Sequence, residues 1–313
     1  MHTKRLAFIF LSTGLACCTA WYFFGASKVA AKATDPAASQ STTPVASNGF
    51  FGDSSTTLPT SQTPSAASST SATAGMLQAF NKLQSARSFI HEAIRHPESG
   101  GIRYANRAWA DCINAAGSTG LMRGLFKVVP GSRESQAEAA IKSKCDITDS
   151  DLATLKSASR KYASVDPLSQ IGRKSDYAKT SEAHLALAKE VISAGSPILF
   201  DKLKYSREYK LAGGQSDYEA YFDGKWYRGG NESAYTEALI LAQCEFGMNC
   251  GPDSLRTLAQ CSDKGWCANS LAESVRIGWS KELPQHVDAV FSLRDKIVAA
   301  IKAGDASAFA PGL

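Results

Sequence analysis

The chain has 313 residues, of which 34 are lysine or arginine and 29 are aspartate or glutamate, so its formal net charge is +5. Four of the bases and two of the acids precede residue 76, which leaves 30 bases against 27 acids in the remainder. This near balance argues against a nucleic-acid-binding domain, which needs a basic patch. By length, residues 76–313 form one large domain or two small ones.

The first 26 residues have the pattern of a signal-anchor segment. Lys4 and Arg5 precede an uncharged run, residues 6–26, that has four consecutive aromatic residues, 21–24, near its end. About 20 apolar residues span a bilayer core. Aromatic residues favour the membrane interface, and basic flanks favour the cytoplasmic side. We therefore expect residues 6–26 to cross a membrane and the body to lie outside the cytoplasm, in the periplasm if the cell is bacterial.

Two other fates of this segment are compatible with its sequence. Ala31-Lys32-Ala33 is an A-x-A site, at which cleavage of a signal peptide would release the protein. The run 15–18, which ends in Cys17-Cys18, resembles a lipoprotein acylation box. Neither fits as well as an anchor. The uncharged run is longer than the apolar region of about 7–15 residues that most signal peptides have, and the aromatic run would follow the acylated cysteine. All three interpretations export the chain.

Residues 27–75 are dominated by Ser, Thr, Ala and Pro. Such a composition buries too little apolar surface to offset the entropy of ordering its backbone. We predict a disordered tether with a span of roughly 40 Å, followed by an exported helical domain at 76–313.

The body is predicted to be mainly α, as an irregular bundle or array of short helices. Apolar residues recur there at helical spacing between Gly and Pro turns. Thr148 and Asp151 form a capping box at one helix start. The helices are predicted at 75–95, 102–116, 135–145, 180–194, 198–211, 232–246, 270–279 and 285–303, with shorter ones after Thr148 and Pro252.

The pattern changes near residues 218–228, where aromatic residues crowd around Asp223-Gly224. An Asp-Gly pair between such residues predicts a small β-hairpin. Aromatic side chains also serve well in recognition, so this segment is the predicted partner-binding surface. The alternative is that the same residues cover the core between two helical halves. The five residues concerned are Tyr218, Tyr221, Phe222, Trp226 and Tyr227.

The cysteines of the body occur in a repeated pattern. Cys244 and Cys250 are six residues apart, as are Cys261 and Cys267, and each pair encloses a glycine. Zinc knuckles usually have shorter spacing, C-x2-C to C-x4-C. A chain that reverses at the glycine instead brings the two cysteines within disulfide distance. We therefore expect two disulfide clips that close successive helix ends, with zinc as the alternative.

Export favours disulfides, because an even number of cysteines in an oxidising compartment indicates a disulfide framework. The body has six cysteines, which allow 15 connectivities. The expected pairs are Cys112–Cys145, Cys244–Cys250 and Cys261–Cys267.

Motifs for catalysis are absent from the sequence. His91 and His96 surround a glutamate but are five residues apart, whereas the zinc-protease motif needs histidines four apart on one helical face. His184 and His286 fall in separate predicted helices, and no nucleophile elbow or phosphate-binding loop occurs. We therefore assign no catalytic residue, metal or cofactor.

These features together predict a membrane-tethered envelope protein that binds a protein partner. A hydrolase-like envelope enzyme with a dispersed active site is one alternative, and a structural or inhibitory partner protein is another. The basic residues Lys202, Lys204, Arg207 and Lys210 are interpreted as the solvated face of a helix.

Overall fold

Helices dominate the computed structural model, which describes residues 66–122, 129–211 and 216–312. This architecture confirms the predicted mainly α class. The α-helices of these ranges are α1 (Ala66–Asn81), α2 (Ala86–Ala93), α3 (Gly101–Met122), α4 (Arg133–Lys144), α5 (Asp149–Lys161), α6 (Pro167–Lys174), α7 (Ser181–Ala194), α8 (Gly230–Glu245), α9 (Leu255–Lys264), α10 (Leu271–Glu282) and α11 (Val287–Ala303). Short 3₁₀ helices occupy Pro97–Ser99, Pro197–Leu203, Pro284–His286 and Ala306–Phe309. The predicted signal-anchor at 1–26 lies outside the described residues.

The predicted helix at 75–95 is two helices, α1 and α2. Ser85 separates them because its backbone is extended and its hydroxyl accepts a hydrogen bond from the backbone N–H of Ser88, which makes it the N-cap of α2. The first of these helices begins at Ala66, so helical structure extends into the region predicted as tether.

Two helices organise the core. Helix α3 packs against α2, α4, α5 and α9, whereas α8 packs most extensively against α11 and also contacts the Pro197–Leu203 3₁₀ helix. One continuous set of buried side chains joins the two groups, and it includes Tyr104 of α3 and Tyr235 of α8. The molecule therefore has a single apolar core over residues 76–309.

A three-stranded antiparallel sheet lies beside α8, formed by β1 (Tyr205–Lys210), β2 (Ser216–Phe222) and β3 (Lys225–Arg228) in that order. The prediction of a helix over 198–211 was wrong for its second half. Leu199 and Leu203 do lie on a helix, the 3₁₀ turn, but from Tyr205 onward the chain pairs with β2. Tyr205 and Tyr209 lie on the same face of that strand and are partly buried, whereas Ser206, Glu208 and Lys210 on the other face are exposed, which suits a strand with one covered face.

The predicted hairpin is confirmed between β2 and β3. Asp223 and Gly224 have φ values of 49° and 76°. Positive φ at both central residues is the type I′ turn that Asp-Gly favours. The N–H of Asp223 donates to the carbonyl of Ala308 at 2.8 Å, which fastens the turn to the C-terminal 3₁₀ helix.

The three expected disulfides are present, with Cα–Cα distances of 5.4 Å for Cys112–Cys145, 5.7 Å for Cys244–Cys250 and 4.1 Å for Cys261–Cys267. The two short ones follow the ends of α8 and α9, as the repeated pattern predicted. Gly265 has a φ of 67° and donates to the carbonyl of Cys261. A left-handed glycine is the usual way to end a helix and reverse the chain.

Both clips are docked onto other helices. The backbone N–H of Asn249 donates to the side chain of Asn81, and the Asn249 amide donates to the Asn81 carbonyl, which joins the first clip to the end of α1. Trp266 of the second clip lies flat on Gly278 of α10, where a Cβ atom would come within 2.2 Å of the indole ring. The clips therefore position neighbouring helices as well as closing their own.

The helices of the described ranges are all too short or too polar to cross a membrane.

Disulfide removal should destabilise the protein in proportion to loop length. The Cys112–Cys145 bridge closes a loop of 33 residues and the Cys261–Cys267 bridge a loop of six. On the chain-entropy model we expect losses of roughly 3.8 and 2.4 kcal/mol in the free energy of unfolding when each pair is replaced by alanine. Urea denaturation without reductant measures both. An equal or smaller loss for the long loop would contradict the entropic account.

Candidate interaction surface on the β-sheet

One face of the sheet collects arginine, acidic and aromatic side chains. Alternate residues of a strand point to the same side of a sheet. The register places Arg207 opposite Glu219, and Glu219 opposite Arg228. Counting every second residue along each strand from these three gives the other side chains on the same face. We call it the arginine–aromatic face, and it consists of Tyr205, Arg207, Tyr209, Asp217, Glu219, Tyr221, Trp226 and Arg228.

Glu219 lies at the centre of this face and is completely buried. Arg207 Nε donates to Glu219 Oε1 at 2.6 Å, and Arg228 Nε donates to Oε2. The hydrogen bond from Arg228 lowers the pKa of Glu219, burial opposes it, and Arg207 adds to the lowering, so this pKa lies below its ordinary value. The central carboxylate is therefore ionised at neutral pH and holds both arginines.

Each arginine also stacks on an aromatic ring. Arg207 Cζ lies 3.8 Å from the Trp226 ring centroid, and Arg228 Cζ lies 4.7 Å from that of Tyr209. These are cation–π distances. The side chains are nevertheless 53% exposed for Arg207 and 57% for Arg228. Each arginine is thus held by Glu219 and by an aromatic ring, while more than half of its side-chain surface is open to solvent.

Further rings support Trp226. Its ring centroid lies 5.4 Å from that of Tyr221 and 5.9 Å from that of Tyr205. Tyr205 in turn lies 5.0 Å from the ring of His184, which is buried and bonds the Leu203 carbonyl through Nε2. Trp226 remains partly exposed, so the aromatic cluster is anchored to the body on one side and accessible on the other.

The opposite face of the sheet joins the core. Phe222 and Tyr227 stack on Tyr235 of α8, at centroid distances of 5.6 and 5.8 Å. Phe222 also contacts Phe309. Tyr218 points to this side but lies beyond the body, where it is 59% exposed. One side of the sheet therefore packs on the core, whereas the arginine–aromatic face on the other side is turned toward solvent.

The five aromatic residues predicted as a partner surface are consequently divided by the structure. Tyr221 and Trp226 belong to the arginine–aromatic face, although only Trp226 has appreciable exposure. Phe222 and Tyr227 lie on the core side, as the alternative interpretation expected for the whole group. Tyr218 is exposed on the edge of that side.

Sequence reasoning missed most of the arginine–aromatic face. Tyr205, Arg207 and Tyr209 lay inside the predicted helix 198–211, because the apolar spacing of Leu199 and Leu203 continued the helical pattern. The only strand signal in 205–210 was the pair Tyr205 and Tyr209, four residues apart on one side of a strand, and the polar Arg207 between them interrupts the alternation. The supposed basic helical face does not exist: Lys204 precedes β1 and forms an ion pair with Glu232 of α8.

His91 and His96 occupy separate ion pairs. His91 Nε2 lies 2.7 Å from Asp151 Oδ1, whereas His96 Nε2 lies 3.2 Å from Glu92 Oε1. Hydrogen bonds from Thr148 and from His91 hold the pKa of Asp151 far below its ordinary value. Nowhere in the part of the chain that the structure describes do three or more His, Cys, Asp or Glu side chains form a group able to hold a metal ion.

A small cavity of about 40 Å³ lies between α1, α4 and the first clip. Its lining is more apolar than polar and includes Asn81, Asp111, Lys144 and Arg256. A cavity of this size admits water but is far smaller than a typical substrate pocket. Its Asp111 carboxylate accepts hydrogen bonds at 2.9 and 3.0 Å from Arg107 Nε. Burial opposes the charge of Arg107, but Asp111 and Asp201 outweigh it, so the pKa of Arg107 is raised. The Arg107–Asp111 pair lies within α3, and Arg256 Nε, 3.9 Å from Asp111 Oδ1, links it to α9.

Glu237 of α8 is an ionisable group without a hydrogen-bond partner among the described residues. Burial raises its pKa to about 7, and the positive charge of Lys264 only partly opposes this shift. The group lies apart from the arginine–aromatic face. A carboxyl that resists ionisation in this way makes the folded state less stable as it is forced to lose its proton.

The pH dependence of stability should report on Glu237. Its raised pKa means that the folded state keeps a proton that the unfolded state has released, so the free energy of unfolding falls as pH rises from about 5 to 8. We expect Glu237→Gln to remove this fall and to be more stable than the wild type at pH 8 by on the order of 2–3 kcal/mol. Urea denaturation from pH 4 to 8 tests this. The exposed Glu282→Gln serves as the control, and parallel pH profiles for all three proteins would contradict the assignment.

No protein-family model, curated protein or solved structure matches this chain. The arginine–aromatic face must therefore support a functional argument by its own geometry.

Proposed function

We propose that this chain is an exported, membrane-tethered binding module whose helical body presents the arginine–aromatic face to a protein partner in the cell envelope. The observation that carries the proposal is the pair of half-exposed arginines, Arg207 and Arg228, held in place by Glu219 and by aromatic rings. Arginine, tyrosine and tryptophan are the residues that most often dominate binding energy at protein interfaces.

The side chains of the arginine–aromatic face are already held in place before a partner binds, and this supports the proposed binding role. Long side chains normally lose rotamer freedom when they enter an interface, at a cost of about 0.5–1.5 kcal/mol each. Arg207 and Arg228 already have a hydrogen bond and a stacking partner, so much of this cost is met during folding. A surface whose side chains are already ordered loses less conformational entropy on binding, which favours recognition.

The other polar centres of the described residues favour a binding module over the hydrolase-like alternative. The cavity beside Asp111 has room for water rather than for an organic substrate. The charged groups around it already pair with one another, Arg107 with Asp111 within α3 and Arg256 of α9 with the same Asp111.

The compartment assignment rests on two observations. Three disulfides are typical of an oxidising environment outside the cytoplasm. The uncharged run 6–26 with its basic flank and aromatic end is the proposed membrane anchor.

The anchor can be tested on mature protein. We expect the chain to fractionate with membranes and to resist extraction by high salt, because residues 6–26 would be embedded in lipid. Amino-terminal sequencing and mass spectrometry of that material should find residues 6–26 retained. A mature start at Thr34 would indicate a cleaved signal instead, and a lipid-modified Cys17 or Cys18 would indicate a lipoprotein.

Partner binding should depend on Trp226. A photoreactive amino acid at the exposed Lys225, next to Trp226, should crosslink a defined envelope protein in intact cells. Trp226→Ala should reduce this crosslink at least tenfold, which corresponds to about 1.4 kcal/mol, since a central interface aromatic is lost.

Two variants serve as controls. Phe222→Ala should cost about 3–5 kcal/mol of stability by opening a core cavity, more than Trp226→Ala. Tyr177→Ala removes an aromatic side chain that is 83% exposed and lies elsewhere, and should leave the crosslink unchanged. Undiminished crosslinking by folded Trp226→Ala would refute the proposed surface.

A further inference from the structure

The two arginines of the arginine–aromatic face use only part of their hydrogen-bonding capacity. Arg207 and Arg228 each bond Glu219 through Nε. Among the described residues, no hydrogen bond involves the Nη nitrogens of either side chain. A guanidinium has five N–H donors in a planar fork, so each arginine presents four donors that the fold leaves unused, on side chains more than half exposed.

Glu219 determines how the two forks are arranged. Because its two carboxylate oxygens accept one Nε each, the guanidinium groups lie on opposite sides of a single carboxylate. Contact with the Trp226 ring and with the Tyr209 ring holds each guanidinium group in place on its other side. Two guanidinium groups with a carboxylate between them are better placed to bind two separate anionic groups than a single one.

The two arginines of the face are matched in number by two acids, but the charges differ in exposure. Glu219 is buried and Asp217 partly buried, whereas both arginine side chains are more than half exposed. Glu219 neutralises one of the two arginines. Asp217, the other acid of the face, accepts a hydrogen bond from the Tyr209 hydroxyl at 2.9 Å and from the N–H of Tyr218 at 2.8 Å. These neutral donors hold the Asp217 carboxylate in place without cancelling its charge, and the accessible positive charge of the face is on the exposed Nη edges of the arginines.

We propose that this face binds an acidic protein segment, in which two neighbouring carboxylates each engage one guanidinium fork. The inference rests on the proposed binding function and specifies its partner chemistry. Bidentate pairing with carboxylates is the geometry that a guanidinium favours. The methylene groups of glutamate side chains contact Trp226 and Tyr209 at the same time.

The sheet geometry predicts the spacing of the two carboxylates. Arg207 and Arg228 lie on the outer strands, with β2 between them. Their backbones are therefore about 9.6 Å apart, two strand spacings, and both side chains lean inward to Glu219. Residues i and i+2 of an extended peptide face the same side about 6.6–6.8 Å apart. Acidic residues at alternate positions of an extended segment match the two forks.

Binding of a defined peptide to the full chain tests the proposal. The probe is a labelled octapeptide of alternating glutamate and threonine, with the glutamine–threonine peptide as its neutral match, measured by fluorescence anisotropy. We expect the acidic peptide to bind and the neutral one not to bind. The double variant Arg207→Gln with Arg228→Gln should weaken acidic-peptide binding at least tenfold. The control is Arg95→Gln with Arg160→Gln, which makes the same change in net charge at exposed sites elsewhere and should alter affinity less than twofold.

Two further variants separate oriented recognition from simple charge attraction. Glu219→Gln removes a negative charge, so attraction alone would tighten binding of the acidic peptide. Glutamine keeps one acceptor oxygen but presents an NH2 donor to the other arginine, so one guanidinium loses its alignment and binding should instead weaken severalfold. Arg207→Lys keeps the charge but not the fork and should also weaken binding, which provides a test if the double variant does not fold.

The opposite results overturn the inference. They are an acidic peptide that does not bind the wild type, equal loss in the control variant, tighter binding by Glu219→Gln, or competition by inorganic phosphate as effective as that by the peptide. The envelope crosslink at Lys225 distinguishes the two proposals. A crosslink that requires Trp226 but survives the double arginine variant refutes the acidic partner and leaves the binding module standing. No crosslink, with arginine-dependent peptide binding intact, refutes the envelope partner alone.

Discussion

Burial of Tyr235 is the interaction on which the sheet and the helical body both depend. This side chain of the central helix α8 is completely buried, and the sheet residues Phe222 and Tyr227 stack on it. Its hydroxyl has no hydrogen-bond partner among the described residues, and burial raises its pKa. An unpaired buried hydroxyl costs about 1–3 kcal/mol, which the burial of three aromatic rings offsets. Because these rings hold one side of the sheet to the core, the other side is turned outward.

The outward side is ordered by electrostatics rather than by apolar burial. Glu219 has no access to solvent, yet its neighbours above are Arg207 and Arg228, both more than half exposed. A carboxylate covered by two guanidinium groups keeps its charge, and the charge in turn positions the groups that cover it. The surface is therefore rigid although it consists of long and flexible side chains. Rigid presentation of arginine beside tryptophan and tyrosine is the property that makes this face a candidate for recognition.

The two short disulfides, the capping box and the hairpin turn were predictable because their causes are local. A cysteine six residues before another, with a glycine between them, can close only a tight loop, and Gly265 adopts the left-handed conformation that such a loop needs. Thr148 and Asp151 likewise form the expected capping box, and Asp223-Gly224 forms the expected turn. The docking of the clips was not predictable. The contact of Trp266 with Gly278 and that of Asn249 with Asn81 join residues far apart in the chain.

What the sequence determined by itself was the helical class, the two short disulfide clips, the hairpin turn and the aromatic content of the sheet. Each follows from residue type and spacing within a short window. The tertiary structure alone decided that 205–210 is a strand, because its hydrogen bonds are supplied by β2 and not by its own backbone. It also decided which aromatic residues face the core, and that Arg207, Glu219 and Arg228 meet on one face. Strand register sets these contacts, and register depends on how the whole sheet packs on α8, which no local pattern encodes.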